Sequence, residues 1–380
     1  MVKVAIVICN SYEPLEIERA MDELVGLLGG LDKIITPGDS VLLKANMLNA
    51  SSPERAVTTH PEVLRSVIRR VKKAGGIVTV GDSPGGRNVG EAPKKVFKTT
   101  GIDKVCSSES VPLVLLDDDT VKKKSPNARL YRFFTVGRAA VEADVVITIP
   151  RLKTHGFQMF TGAVKNLFGV IPGLKKAEFH VKVPNREDFG DMLVDLYQLI
   201  TPKLAVMDGI IAMEGSGPSS GDPYHLGILL ASVDSVALDY VASKIIGLDP
   251  KKVYTTKAAI DRGLLDPAKI EVAGVDINKI DADGFSLPKT EFGSQLPPIL
   301  RDRLNDILIA KPYLTLSDTC NGCGRCFKNC PVDSIKMEKE KPKFDYDTCI
   351  RCYCCQELCP EYVIGLKNHW IIRGLERLKG

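Results

Sequence analysis

The stretch that decides the fold runs from Val41 to Gly86: VLLKANMLNASSPERAVTTHPEVLRSVIRRVKKAGGIVTVGDSPGG. Val41–Lys44 reads as a strand. Pro61–Ala74 reads as an amphipathic helix, with Thr58 or Thr59 ahead of it as cap and His60 as a helix-entry residue. Ile77–Val80 is strand-like again. Strand, helix and strand in succession are the unit of a parallel sheet covered by helices. Working outward, strand patterns recur at Val2–Ile8, Val111–Leu116, Val145–Ile149, Leu204–Met207 and Gly227–Ala231. Helical patterns fall at Leu15–Leu28, Asp188–Ile200 and Ser235–Ile246. The expected fold class is α/β: a Rossmann-like layered body, followed by a small α+β ferredoxin-like module.

Several strands end in glycine-rich or polar turns: KANMLNASS after Lys44, GDSPGG after Val80, and MDGIIAMEGSGPSSGDP after Leu204. Ligands of open α/β sheets sit beyond the carboxyl ends of strands, so these turns are where a site belongs. No turn matches G-x-G-x-x-G, and no G-x-x-x-x-G-K-[ST] occurs. The candidates they supply are Lys44, Asn46, Thr58, Thr59 and His60, then Asp82 and Ser83, then Asp208, Glu214, Ser216 and His225. In that role they would bind phosphate or carboxylate, or form an acid–base pair. Taken singly, each reads first as a cap or turn residue.

The net charge of +4 over 380 residues, without long basic blocks, argues against nucleic acid as a partner. The N-terminus lacks the parts of a signal peptide, and no window reaches the roughly 18 apolar residues of a membrane span. The expected location is cytoplasmic. Prolines at 288, 297 and 298 mark a linker. The expected units are thus a body over 1–285, a linker over 286–312, a cysteine module over 313–366 and a tail over 367–380. The tail carries the lone tryptophan and is expected to pack back on the body.

Nine of the eleven cysteines lie between Cys320 and Cys359. They form a repeat: Cys320-x-x-Cys323-x-x-Cys326-x-x-x-Cys330-Pro331, then Cys349-x-x-Cys352-x-x-Cys355-x-x-x-Cys359-Pro360. Two-residue gaps let three thiolates curl round one cubane, while the cysteine before proline leaves in another direction. Zinc sites instead pair two separated C-x-x-C knuckles. The module resembles bacterial two-cluster ferredoxins. That resemblance implies one [4Fe–4S] cluster on Cys320, Cys323, Cys326 and Cys359, and another on Cys349, Cys352, Cys355 and Cys330. Cys354 falls off the pattern as a free thiol, and Cys9 and Cys106 read as buried, inert residues. Such clusters move single electrons, so a redox partner protein is expected.

The segment Arg151–His180, RLKTHGFQMFTGAVKNLFGVIPGLKKAEFH, follows a strand that stops at Pro150. Gly156 and Gly162 permit close backbone approach, and a helix is expected to begin near Thr161. Lys165 would then sit among Ala163, Val164, Leu167 and Phe168. A lysine in apolar surroundings has a lowered pKa and acts as base, nucleophile or phosphate partner. The plain alternative is that Lys165 snorkels to solvent while His155 hydrogen-bonds a loop.

The motifs VLLKANML, TTHP, GDSPGG, the Arg151–His180 segment, DGIIAMEGSGPSSGDP and LLASVDSVALD together resemble the family called domain of unknown function 362, often fused to a ferredoxin module. His155, Lys165 and His180 are also similar in spacing to the central motif of nickel-pincer lactate racemases. This second resemblance implies His155 as a catalytic or substrate-binding histidine, Lys165 as anchor of a nickel-pincer nucleotide and His180 as a metal ligand. Here the strand-end turn GDSPGG lacks a histidine, and KANML stands where those enzymes carry an arginine-bearing turn. The expected function is an iron–sulfur redox protein whose body binds a small anionic substrate or cofactor at His155, Lys165 and His180. Two alternatives stay open: a non-catalytic electron carrier or adaptor, and a redox-neutral racemase or isomerase with a nickel-pincer-like site.

Overall fold

The structure, a computed structural model, describes residues 1–288, 304 and 308–372. The expected linker over 286–312 and tail over 367–380 lie largely outside the described residues. Within the described part of the tail, Trp370 is 68% exposed and Ile372 is buried.

Along the chain, β1 (Val2–Ile8) leads to α1 (Pro14–Leu27), and β2 (Ser40–Lys44) to α2 (Pro61–Lys73). Next come β3 (Ile77–Asp82), α3 (Ala92–Thr99), α4 (Ile102–Ser108) and β4 (Leu113–Leu115). A separate hairpin of β5 (Thr120–Lys124) and β6 (Phe133–Gly137) precedes α5 (Ala139–Glu142) and β7 (Val145–Thr148). Then follow β8 (Arg151–His155), β9 (Met159–Thr161), α6 (Ala163–Asn166), α7 (Gly173–Lys182) and α8 (Arg186–Ile200). The body ends with β10 (Leu204–Glu214), β11 (Asp222–Ser232), α9 (Ser235–Ile245), α10 (Tyr254–Asp261) and β12 (Ile270–Gly274). The cysteine module holds β13 (Lys311–Leu314), α11 (Arg325–Lys328), β14 (Ile335–Glu338), β15 (Lys341–Phe344), α12 (Cys354–Glu357) and β16 (Ile364–Lys367).

The large sheet runs β12-β1-β11-β10-β7-β2-β3-β4, with β8 and β9 extending beside β10. From β10 to β4 every pairing is parallel, as the strand–helix alternation predicts. β11 departs, running antiparallel to both β1 and β10. A short loop joins it to β10 as a hairpin, whereas a parallel neighbour needs a crossover of a dozen or more residues. β10 is also longer than the expected Leu204–Met207. Of the expected glycine-rich turn over 207–223, residues 208–214 continue the strand, whose register shifts between Gly209 and Ile211, and 215–221 form the loop to β11. A glycine inside a strand marks such an irregularity as readily as it marks a turn.

Helices cover both faces of the sheet. On one, α2 buries Val63, Leu64, Val67, Ile68 and Val71 at helical spacing against Val41, Leu43 and Val80. On the other, Leu42 and Val146 pack with Leu193 and Leu196 of α8. The cap of α2 is His60 rather than Thr58 or Thr59: its Nδ1 accepts from Glu62 N at 3.2 Å. Thr59 Oγ1 is engaged elsewhere, accepting from Asn46 N at 2.8 Å and donating to Ile149 O at 2.5 Å. Thr58 is fully buried.

Candidate functional site

In the cysteine module the two repeats fold alike. Residues two beyond each first cysteine, Gly322 and Arg351, both have φ near +60°, as do Gly324 and Tyr353 after each second cysteine, and Asp333 and Tyr362 after each fourth. Left-handed backbone at these points turns each loop around a common centre. Cys320, Cys323, Cys326 and Cys359 line one small enclosed space. Cys330, Cys349, Cys352 and Cys355 line another. Each set draws three cysteines from one repeat and one from the other, which fits two four-iron clusters. Among the described residues no three His, Cys, Asp or Glu side chains converge closely enough to hold a single metal ion. Cys354 belongs to neither set and is buried on the wall of a larger cavity.

The second repeat is fastened to the body. Tyr353 is buried, and its hydroxyl donates to Ala310 O at 2.8 Å and accepts from Arg186 Nη2 at 3.0 Å. Arg186 Nη1 also donates to Gly156 O at 3.1 Å. Gln356 Nε2 donates to Ser216 O, Ser219 Oγ to Gln356 O, and Asn49 Nδ2 to Glu357 O. These contacts seat α12 against the turn after β2, the end of β8 and the loop between β10 and β11.

Between sheet and module lies a cavity of about 520 Å³. Lys44 and Asp82 enter it from the ends of β2 and β3, Lys153 and His155 from β8, and Lys165 from α6. Lys176 and His180 come from α7, and Glu357 from α12; Cys330 and Cys354 lie on the same wall. Lys44 Nζ pairs with Asp82 at 2.8 Å, both fully buried, and also donates to Ala45 O at 2.6 Å. Burial pushes both members of this pair toward neutrality, while their mutual attraction opposes it. Asp82 also accepts from Met47 N at 2.6 Å, which holds the turn after β2.

Lys153 Nζ donates to Val57 O at 2.6 Å, and burial brings its pKa down to about 7, helped by the charge of Lys165. Lys176 donates to Ser83 O and Pro84 O, and burial brings it down to about 8. Burial also lowers Lys165, against the pull of Glu357. Among the described residues Lys165 Nζ has no hydrogen-bond or ion-pair partner. The ring of Phe168 lies 5.6 Å from it. α6, which carries Lys165, is held at its start by Asp239, whose carboxylate accepts from Ala163 N at 2.6 Å and Val164 N at 3.0 Å.

Both histidines are neutral. Burial drives His155 well below its ordinary value, helped by Lys165 and Lys153, and brings His180 down to about 3. His155 Nδ1 accepts from Phe157 N at 3.0 Å and Gln158 N at 3.3 Å, so the ring proton sits on Nε2. Nε2 lies 3.3 Å from Glu357 Oε1, yet the two are not aligned as a hydrogen bond. His180 stacks on Phe189 at 4.7 Å, edge-on to Phe157 and Phe168, and its Nδ1 is buried without a partner. Aromatic walls thus fix its ring.

Of the sequence-derived candidates, Lys44, Asn46, Asp82, Ser83, His155, Lys165 and His180 line this cavity. The others do not. Asp208 is locked in a buried network with Arg151 Nη1 at 2.5 Å and Tyr12 at 2.9 Å. Glu214 accepts from Ser286 N, and His225 bonds Asn10 O. His60 stacks on Tyr12 at 3.5 Å. Ser216 contributes its carbonyl to Gln356. Thr58 and Thr59 pack beneath the turn. Sequence reasoning missed Lys153, Lys176 and Glu357. Lys153 stands in RLKTH beside His155, and strand alternation alone would have set the two on one face. Glu357 is recognisable only after the module docks.

An α/β body whose strand ends meet a ferredoxin-like dicluster domain defines an iron–sulfur protein. Residues 41–244 match the family described as domain of unknown function (DUF362), and residues 313–360 match a 4Fe-4S dicluster domain. The chain belongs to the DUF362 family, with a dicluster domain at its C-terminal end. It is 36% identical over 317 residues to a thylakoid-associated protein of Synechocystis sp., covering 81% of this chain and 96% of that one. Among solved structures, it is similar to the lactate racemase apoprotein of Thermoanaerobacterium thermosaccharolyticum. That match has a TM-score of 0.43 and 15% identity, over 65% of this chain and 57% of the racemase chain. A Thermotoga maritima protein gives a TM-score of 0.38 and 12% identity, over 88% of this chain and 86% of that one. Among the described residues no helix is long and apolar enough to cross a membrane.

Proposed function

We propose that the protein is an oxidoreductase that couples electron transfer through two [4Fe–4S] clusters to a small anionic molecule bound in the large cavity. One observation carries the reading: Cys330, of the second cysteine set, lines the same cavity as Lys153, His155, Lys165 and His180. The clusters would be held by Cys320, Cys323, Cys326 and Cys359, and by Cys330, Cys349, Cys352 and Cys355. When bound they supply single electrons.

The chain's own residues do the rest. Lys165 and Lys153 present ammonium groups to an anion in a space walled by Phe168, Met47 and Leu358, where desolvation strengthens each contact. His155 offers the Nε2 proton to a bound oxygen, and neutral His180 presents Nδ1 as acceptor or donor. The Lys44–Asp82 pair and Asn166, which donates to Lys44 O at 3.1 Å and Thr148 Oγ1 at 2.9 Å, keep the strand ends rigid. Cys323 is exposed, so the first set is the side from which a redox partner protein is served. The units carrying these roles are the body over 1–285 and the module over 313–366.

The test uses protein purified anaerobically, checked for iron and sulfide, and reduced. A panel of small carboxylates and phosphates is screened for compounds that reoxidise the clusters, followed by absorbance. The expected result is reoxidation by one class of acid, lost in Lys165→Ala and His155→Ala at unchanged iron content. Electrons that pass only to protein carriers, at rates those substitutions leave alone, refute the reading.

A further inference from the structure

Glu357 and the lysines face one another across the cavity without touching. Glu357 lines the cavity together with Lys165, Lys153 and Lys176. Yet among the described residues none of their ammonium groups comes within the 4.0 Å of an ion pair with it. Glu357 Oε1 is buried, and its near neighbour His155 Nε2, at 3.3 Å, is not aligned to donate to it. Opposite it, Lys165 Nζ is unpartnered and Lys153 Nζ has only Val57 O. Thr161 Oγ1 and His180 Nδ1, both on the cavity and both more than nine-tenths buried, also lack partners.

Buried polar groups are left unmatched at a free-energy cost, so their arrangement describes the group that satisfies them. It must accept hydrogen bonds on the lysine side and donate one on the carboxylate side. A fully ionised oxyanion has nothing to donate and turns its lone pairs on Glu357; a protonated one does both. The cavity is also far larger than one such group, and Met47, Leu48, Phe168 and Leu358 give it apolar walls.

We propose that the cavity binds the phosphoryl group of a small organic phosphate monoester, with Lys165 and Lys153 donating to its oxygens and Glu357 accepting from its P–O–H. The apolar walls take the organic remainder. This deepens the reading of the cavity as an anion site and rests on it. Glu357 comes from the dicluster domain, so the site is complete only when that domain is seated on the body.

Isothermal titration calorimetry of the anaerobically purified, cluster-loaded protein at pH 7, with inorganic phosphate and with sulfate, tests it. Phosphate carries a proton at this pH and sulfate does not. Phosphate is expected to bind about tenfold or more tighter than sulfate, the scale of one hydrogen bond to a charged group. Glu357→Gln should bring the two anions close to parity, and Lys165→Ala should weaken both. Glu357→Asp, one methylene shorter, serves if the glutamine variant does not load its clusters, and should also narrow the ratio. Equal affinities in the parent, a ratio unchanged in the Glu357 variant, or no phosphate binding overturns the proposal. If phosphate fails while an acid of the panel still reoxidises the clusters in a Lys165-dependent way, only the phosphate assignment falls. If reoxidation ignores Lys165 and His155, the coupled-site reading falls whatever phosphate does.

Discussion

Tyr353→Phe isolates the joint between the dicluster domain and the body. The ring keeps its buried place, so only the hydroxyl's contacts are lost: the bond given to Ala310 O at 2.8 Å and the bond received from Arg186 Nη2 at 3.0 Å. The first is a neutral bond of about 1 kcal/mol and the second, from a guanidinium, about 1.5–3 kcal/mol. Arg186 retains Gly156 O and lies over the rings of Phe157 and Tyr353 at 5.4 Å, which trims the total. The expected weakening is about 2–3 kcal/mol, or roughly 30- to 150-fold in the opening equilibrium. Hydrogen exchange of the amides in 353–358 reads this opening directly, and is preferable to thermal melting for a chain whose cluster loss makes unfolding irreversible. Tyr353→Gly gives a second point. Glycine relieves a φ of +64°, worth about 1 kcal/mol, but gives up a buried ring worth about 3–5 kcal/mol. Protection should therefore fall in the order parent, Phe, Gly. Exchange in Tyr353→Phe within about threefold of the parent, under 1 kcal/mol, would show that the hydroxyl does not fasten the joint.

Two further predictions concern the body and the cysteines. Burial brings the Asp239 carboxyl up to about 7 from an ordinary 3.8. The folded state therefore holds a proton there that the unfolded state has lost, so this group's contribution to stability is fullest below pH 4 and declines as pH rises toward 7. Denaturant unfolding of Asp239→Asn across pH 4–8 should show a flatter profile than the parent over that window, and parallel profiles would contradict the assignment. Cys330→Ser should cost one of the two clusters, measured as iron and sulfide per chain, whereas Cys354→Ser should leave both unchanged. Iron loss in Cys354→Ser would move that thiol into a ligand set.

The sequence by itself determined the parallel half of the sheet and the two cysteine sets. Both are local signals: strand and helix periods over Val41–Val80, and ligand spacings repeated within forty residues. It also brought out Lys44, Asp82, His155, Lys165 and His180, because they sit at strand ends or beside glycines where a chain bends toward a ligand. It misplaced Asp208 and Glu214, since the stretch around Gly209 read as part of a turn and only strand pairing reveals the register shift. It set β11 among parallel strands, because the direction of a strand depends on the length of its connection and on which neighbour it meets. The tertiary structure alone decided that Lys153, Lys176 and Glu357 join the site. Lys153 becomes a cavity lysine only once β8 stands at the sheet's end, and Lys176 only once α7 folds back over β3. Glu357 lies more than 190 residues from Lys165, and docking of α12 through Tyr353 and Gln356 brings its charge to bear on the lysines. Charges in water at that separation along the chain ignore one another; in a shared, desolvated cavity they define what can bind there.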